Sequence, residues 1–292
     1  MSSLNSHQRG VLITVFGVLI LTPDALLVRL IDTDHWTLLF WRSLFAGISL
    51  FVLNLCIERS SPINAIEDLF KKGFFATLFF AGSNIFFVIS ITHTLVANTL
   101  VILASTPFMA AVLTVCIKRN NLAFRTWVTI LFATSGILVV FWGRFGDGNI
   151  FGDICALLCA LCMAAALVIV NLNPKINTTA AIGLGSFLTA VFSLFMGAEL
   201  ASASTRDFLF LILNGGIVIP IALALIAYGP KLISAPEVSL IMLLETVLGP
   251  FWVWIMLSER MLLQTFIGGG LVVTAVMLNV LLGFRSERKT TP

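Results

Sequence analysis

Charge is what this chain has least of. Of 292 residues, 17 are Lys or Arg and 14 are Asp or Glu, so 11% are charged while 59% are hydrophobic. Mean hydropathy is +1.07. A soluble domain is about a quarter charged, so so few charges exclude a water-soluble globule, whose surface they could not cover. The net charge of +3 is small and its Lys and Arg are dispersed, which excludes a nucleic-acid surface. Histidine is equally scarce: His7, His35 and His93 have no metal-ligand spacing. The five cysteines lie in or at the ends of apolar runs and give no disulfide framework. Cys155, Cys159 and Cys162 share one face at helical spacing but have no histidine beside them, which suits membrane packing better than a soft-metal site.

Catalytic signatures are missing too. There is no G-x-x-x-x-G-K-[ST] loop, no H-E-x-x-H and no G-x-S-x-G, so ATP is not a direct driver and metalloprotease or serine-hydrolase chemistry has no scaffold. No cofactor or metal is expected, and no enzyme. An intramembrane enzyme is the remote alternative. A channel would need a continuous polar lining, which the chain does not supply.

What the sequence does have is long apolar runs. Ten occur, at 11–31, 36–56, 73–92, 95–117, 126–142, 154–172, 182–198, 207–229, 236–257 and 262–283. A membrane-spanning helix takes about 20 such residues. The runs are apolar on both parities, unlike the alternating strands of a membrane barrel. The first is too long for the core of a cleavable signal peptide and no small-residue cleavage site follows it, so it reads as a retained helix. The expected fold is an all-α integral membrane protein of ten transmembrane helices.

Orientation follows from Lys and Arg. With the N-terminus cytoplasmic, that side carries Arg9, Arg59, Lys71, Lys72, Lys118, Arg119, Arg125, Lys175, Lys231, Arg285, Arg288 and Lys289, against Arg29, Arg144, Arg206 and Arg260 outside. Twelve against four puts both termini in the cytoplasm. The acceptor sequence Asn177-Thr178-Thr179 then lies inside and carries no glycan.

A shift of 139 positions sets Pro107 on Thr246, Thr126 on Thr265 and Gly136 on Ala275, with run boundaries coinciding. This reads as a duplication, residues 1–146 and 147–292, with the boundary in the Gly-rich stretch 143–152. Five helices per half is an odd number, so the second half must be inverted, the architecture of secondary transporters with a midplane site between the repeats.

Phe40-Trp41-Arg42, Gly152-Asp153, and Leu244-Glu245-Thr246 with Pro250, Ser258-Glu259-Arg260 and Ile267-Gly268-Gly269 resemble the EamA-type branch of the drug/metabolite transporter superfamily. The resemblance covers nearly the whole chain as two copies. It implies ten helices in two inverted halves and export of small metabolites, amino acids or toxic organic compounds across a bacterial inner membrane. Two places depart from the pattern: Glu245-Thr246 stands where the family often has Glu-Pro, and Asn120 replaces the Glu that often closes the fourth helix, whose counterpart Glu259 is present.

An ionisable residue at membrane depth is costly, which makes it a functional hypothesis. Asp24, Arg42 and Glu245 qualify. Asp24 and Arg42 lie at similar distances either side of the turn at Asp32-Thr33-Asp34-His35, so at 1.5 Å per residue they share a depth and should pair. The pair is a clasp between two helices, or Arg42 is an electropositive point for a substrate carboxylate, or it is part of an outer gate, with Asp24 freed on binding. Glu245 has no cation at its depth by sequence and reads as a proton-coupling site, a contact for a cationic substrate, or packing glue. Matched interruptions are expected at Gly82-Ser83-Asn84 and Pro220, and at Ser105-Thr106-Pro107 and Glu245-Thr246 with Pro250. A proline frees a carbonyl one turn earlier, which must be buried or line a wet cavity. The pathway is therefore expected around Asp24, Trp41, Arg42, Asn84, Ser105, Thr106, Pro107, Pro220, Glu245 and Thr246, in a secondary-active exporter, monomeric or homodimeric, that binds a small molecule in the lipid bilayer. An uptake carrier or exchanger is the rival.

Overall fold

The computed structural model describes residues 5–58, 73–94, 96–118, 124–140, 149–257, 267 and 270–278, and the described residues form helices without strands. The first apolar run becomes α1 (Ser6–Leu21) and α2 (Asp24–Leu30); the second is α3 (His35–Glu58) and the third α4 (Phe74–His93). The fourth divides into α5 (Val96–Leu103) and α6 (Thr106–Lys118), and the fifth is α7 (Phe124–Val140). In the second half α8 (Ile150–Leu172), α9 (Thr178–Phe195), α10 (Thr205–Leu211) and α11 (Ile219–Tyr228) precede α12 (Ala235–Leu257). Between α10 and α11 the chain widens into a π-helical stretch, Ile212–Val218. Among the described residues, six spans are long and apolar enough to cross a membrane: Ser6–Val28, His35–Cys56, Phe74–His93, Ile150–Leu172, Thr178–Phe195 and Thr205–Lys231. Of the tenth run, the structure describes residues 267 and 270–278, which are helical.

The breaks have a local chemical cause. Pro23 has no N–H to give Leu19, and the Thr22 hydroxyl donates to that carbonyl instead, at 2.8 Å. Pro107 leaves the Leu103 carbonyl in the same position, and the Thr106 hydroxyl takes it. The sequence reading had the first run as one helix and missed the Thr22-Pro23 break. It expected a freed carbonyl near Pro107 to face the pathway, whereas that carbonyl is capped within its own turn. No hydroxyl precedes Pro220, which follows Ile219. There the backbone is π-helical, and the Ile219 N–H reaches back five residues to the Asn214 carbonyl.

Two expected interruptions do not occur. α4 runs unbroken through Gly82-Ser83-Asn84, and α12 is continuous through Glu245 and Pro250. A Cβ at Gly82 would come within 3.3 Å of Cys162 Sγ, so this glycine provides room for packing rather than a bend.

The two halves pack across one another: α4 lies on α8, α3 on α9, α1 on α11 and α6 on α12. The main core draws on both halves, from Val18 and Ala110 to Leu167, Ile226 and Ile241. Among the described glycines the closest approach to another backbone is at Gly215, where a Cβ would sit 2.5 Å from the carbonyl oxygen of Arg42. No other residue type fits there, so Gly215 lets the π-helical stretch touch the backbone of α3 at the residue that carries the buried charge.

Candidate substrate cavity

A cavity of about 150 Å³ lies inside the bundle. Its wall takes Asp24 and Leu21 from the first run, Arg42, Ser43 and Ala46 from α3, Asn84 and Phe87 from α4, and Thr106 beside the α5–α6 break. The second half contributes Cys159, Gly185, Ile219, Leu223, Ser239, Glu245 and Thr246. Residues of both halves line the cavity.

α3 presents opposite faces to two environments. Arg42, Ser43 and Ala46 face the cavity. Trp41 turns away, stacks on Phe45 at 5.6 Å and meets Phe208 edge-on at 4.9 Å, beside Ile31, Leu38 and Leu211.

The Asp24–Arg42 pair forms, with Arg42 Nη2 donating to Asp24 Oδ2 at 3.0 Å and both side chains buried. A third residue joins it: Asn214 Nδ2 donates to Asp24 Oδ1 at 2.8 Å and lies 3.4 Å from the Asp24 carbonyl oxygen. Both carboxylate oxygens are therefore used, in surroundings where an unpaired carboxylate would be prohibitive. Arg42 is not equally satisfied. Its Nε and Nη1, and Asn214 Oδ1, are buried with no partner among the described residues. The ring of Phe87 lies 5.7 Å from the guanidinium carbon.

Glu245 shares the cavity wall with Arg42 and Asp24. The sequence reading placed no cation at its depth; the fold brings α3 and α12, from opposite halves, around the same space. Asn84 lines the cavity and donates to Ser43 Oγ at 3.0 Å. Thr106 and Thr246 also line it, whereas Trp41, Ser105, Pro107 and Pro220 do not. Ser105 donates to the Ile102 carbonyl at 2.6 Å, and Pro107 and Pro220 are buried. Sequence reasoning missed Ser43, Phe87 and Ser239 on the cavity wall, and Asn214, which reaches the site through Asp24. The signal for Asn214 was an amide in the middle of the eighth apolar run, directly before Gly215-Gly216.

Trp252 Nε1 donates to Thr22 Oγ1 at 2.9 Å, fastening α12 to the first break. Polar ties join the helix ends. Asp207 Oδ1 accepts from the Asp32 N–H at 3.1 Å, Thr33 and Ser202 hydroxyls lie 3.2 Å apart, and Thr37 exchanges bonds with the Glu199 backbone. Elsewhere His7 meets Glu237 at 3.4 Å, Asn171 donates to the Pro230 and Ile233 carbonyls, and Asn177 donates to Asn54 Oδ1 at 2.7 Å.

The sequence pattern of EamA-like transporters matches residues 8–142 and again residues 150–281. This chain belongs to the EamA-like transporter family. As an EamA-like transporter it is a multi-pass integral membrane protein, and the two matches are the two copies seen in its sequence. A comparison with curated proteins finds no match. A protein of known crystal structure, 15% identical, superposes with a TM-score of 0.81 over 94% of this chain and 98% of its own; that likeness concerns the fold alone. Of the residues that carried the resemblance, Ser258-Glu259-Arg260, Gly268-Gly269 and Asn120 lie outside the described residues, as do Arg59, Lys71, Lys72, Arg119, Arg144, Arg285, Arg288 and Lys289 and most of the boundary 143–152.

Proposed function

We propose that this EamA-like transporter is a secondary-active exporter of a small organic metabolite, amino acid or toxic compound, working by alternating access across a bacterial inner membrane. The observation that carries this is the cavity itself. It is built by both halves, is mostly apolar, and holds Asp24, Arg42 and Glu245, the arrangement of a binding site between repeats. Ligand sites are of this kind, apolar with a few placed polar groups.

In this reading ten helices form two inverted five-helix repeats, 1–146 and 147–292, with both termini in the cytoplasm. The contact pattern supports it. Exchanging each apolar run for the one five places away turns the α4–α8 contact into the α11–α1 contact, and maps α3–α9 and α6–α12 onto themselves. The polar ties also support it, because each joins loops that this orientation puts on one side. Asp32–Asp207, Thr33–Ser202 and Thr37–Glu199 fall outside, and His7–Glu237, Asn171–Ile233 and Asn54–Asn177 inside. Alternating access then breaks one set at a time, moving the Asp24–Arg42 level into and out of solvent. Glu245 is the proton-coupling group, and Asn84, Thr106 and Thr246 contact substrate.

The test is a thermal-shift panel of detergent-purified protein against amino acids, quaternary amines, nucleosides and flavins, then flux of the best binder from proteoliposomes. The reading expects saturable flux driven by an imposed proton gradient, outward with respect to the cytoplasmic face. Flux that is coupled only in the inward direction makes the protein an uptake carrier, and the absence of any flux contradicts transport through this cavity.

A further inference from the structure

The Arg42 guanidinium is built into the cavity wall with only part of its hydrogen-bonding capacity used. Of its three nitrogens, Nη2 donates to Asp24 Oδ2. Nε and Nη1, which between them carry three N–H bonds, are buried without a partner among the described residues. Donors without acceptors in such surroundings are costly, and the arrangement is held in place from three sides. Asp24 is fixed by Asn214, the Arg42 backbone is held against Gly215, and the guanidinium carbon lies over the ring of Phe87, which lines the same cavity. A structural clasp alone would need no unpaired nitrogens. Around the same space Phe80, Phe87, Leu100, Leu103 and Met163 form an apolar wall.

We propose that the unpartnered nitrogens of Arg42 are a carboxylate subsite: the transported molecule carries a carboxylate that docks on Nη1 and Nε, with its apolar body against the Phe80–Phe87–Leu103 wall. Asp24 and Asn214 are positioning residues, which hold the guanidinium while its unpartnered nitrogens take the ligand. A carboxylate suits these donors because charge-assisted bonds to guanidinium are the strong ones. The cavity of about 150 Å³ is below the ~300–1,000 Å³ of sites for drug-sized ligands, so the ligand is of small-metabolite size. This assignment rests on the reading of the cavity as the transport site.

The experiment uses matched probes on the full-length protein in detergent: phenylacetate against phenylacetamide, and 4-methylpentanoate against 4-methylpentanamide. The carboxylates are expected to raise the melting midpoint by about 2 °C or more and the amides to leave it unchanged. In the Asp24→Asn/Arg42→Gln double variant, which removes the pair together, the carboxylate response should be lost. The comparison of carboxylate with amide needs no variant, so it decides the matter even if the double variant fails to fold. Equal stabilisation by amides, no response to either carboxylate, or a double variant that keeps the carboxylate response would each overturn the subsite. Proteoliposome flux is read separately. Carboxylate binding without flux of any bound compound contradicts the transport reading and leaves the subsite standing, whereas flux of amines or amides with no carboxylate response does the opposite.

Discussion

Asn214 and Asp24 lie 190 positions apart, in opposite halves of the chain, and the Asn214 amide donates to Asp24 Oδ1 at 2.8 Å. Replacing Asn214 with Leu removes a donor to a buried carboxylate and leaves Oδ1 unsatisfied. A loss of about 1–3 kcal/mol is expected, read as a lower melting midpoint in detergent. Asn214→Asp should be worse, because it faces one carboxylate with another; a midpoint equal to wild type would mean the bond carries no stability.

The Asp24–Arg42 pair gives a sharper expectation. Arg42→Gln alone strands a buried charge and should cost about 3–5 kcal/mol. Asp24→Asn with Arg42→Gln strands none and should melt closer to wild type. Equal midpoints for the single and double variants would show that the two side chains are not coupled.

Thr22 performs two tasks at the first break: it caps the Leu19 carbonyl and accepts from Trp252. Thr22→Val should therefore cost more than Trp252→Phe, by about 1 kcal/mol. The double variant should cost less than the sum of the two, since they share one bond. Strict additivity would separate the residues.

Much of the fold was legible because the signals were local. Among the described residues, nine of the apolar runs reappear as helices or pairs of helices and the described part of the tenth is helical, and the hairpin arithmetic around Asp32–His35 correctly joined Asp24 to Arg42. The rest depended on packing between halves. Nothing in the sequence around Glu245 reveals that Arg42 borders the same cavity, because depth along one helix says nothing of the helix opposite. Prolines were read as interruptions by type, yet their outcome depends on the residue before them. Threonine at 22 and 106 caps the freed carbonyl where one helix ends and the next begins, isoleucine at 219 adjoins a π-helical stretch, and α12 continues through Pro250. Trp41 belonged to the recognised motif, but its neighbour on α3 faces the site and Trp41 itself packs on Phe45.

Glu245 can be tested as the coupling group without disturbing the fold. Glu245→Gln keeps the size of the side chain and removes its titration. It should leave the melting midpoint within about 1–2 °C of wild type and flatten the dependence of flux on pH. A normal rate with an unchanged pH profile would remove Glu245 from the coupling mechanism.

The account depends most on one claim, that the cavity between the halves is where substrate binds. In a cysteine-free background, cysteine is placed at Asn84 or Thr106, both on the cavity wall, and labelled with a small water-soluble thiol reagent with and without the best binder from the ligand panel. The account predicts labelling at both positions and protection by the binder. Positions inert to the reagent, or labelled equally with and without binder, would contradict it.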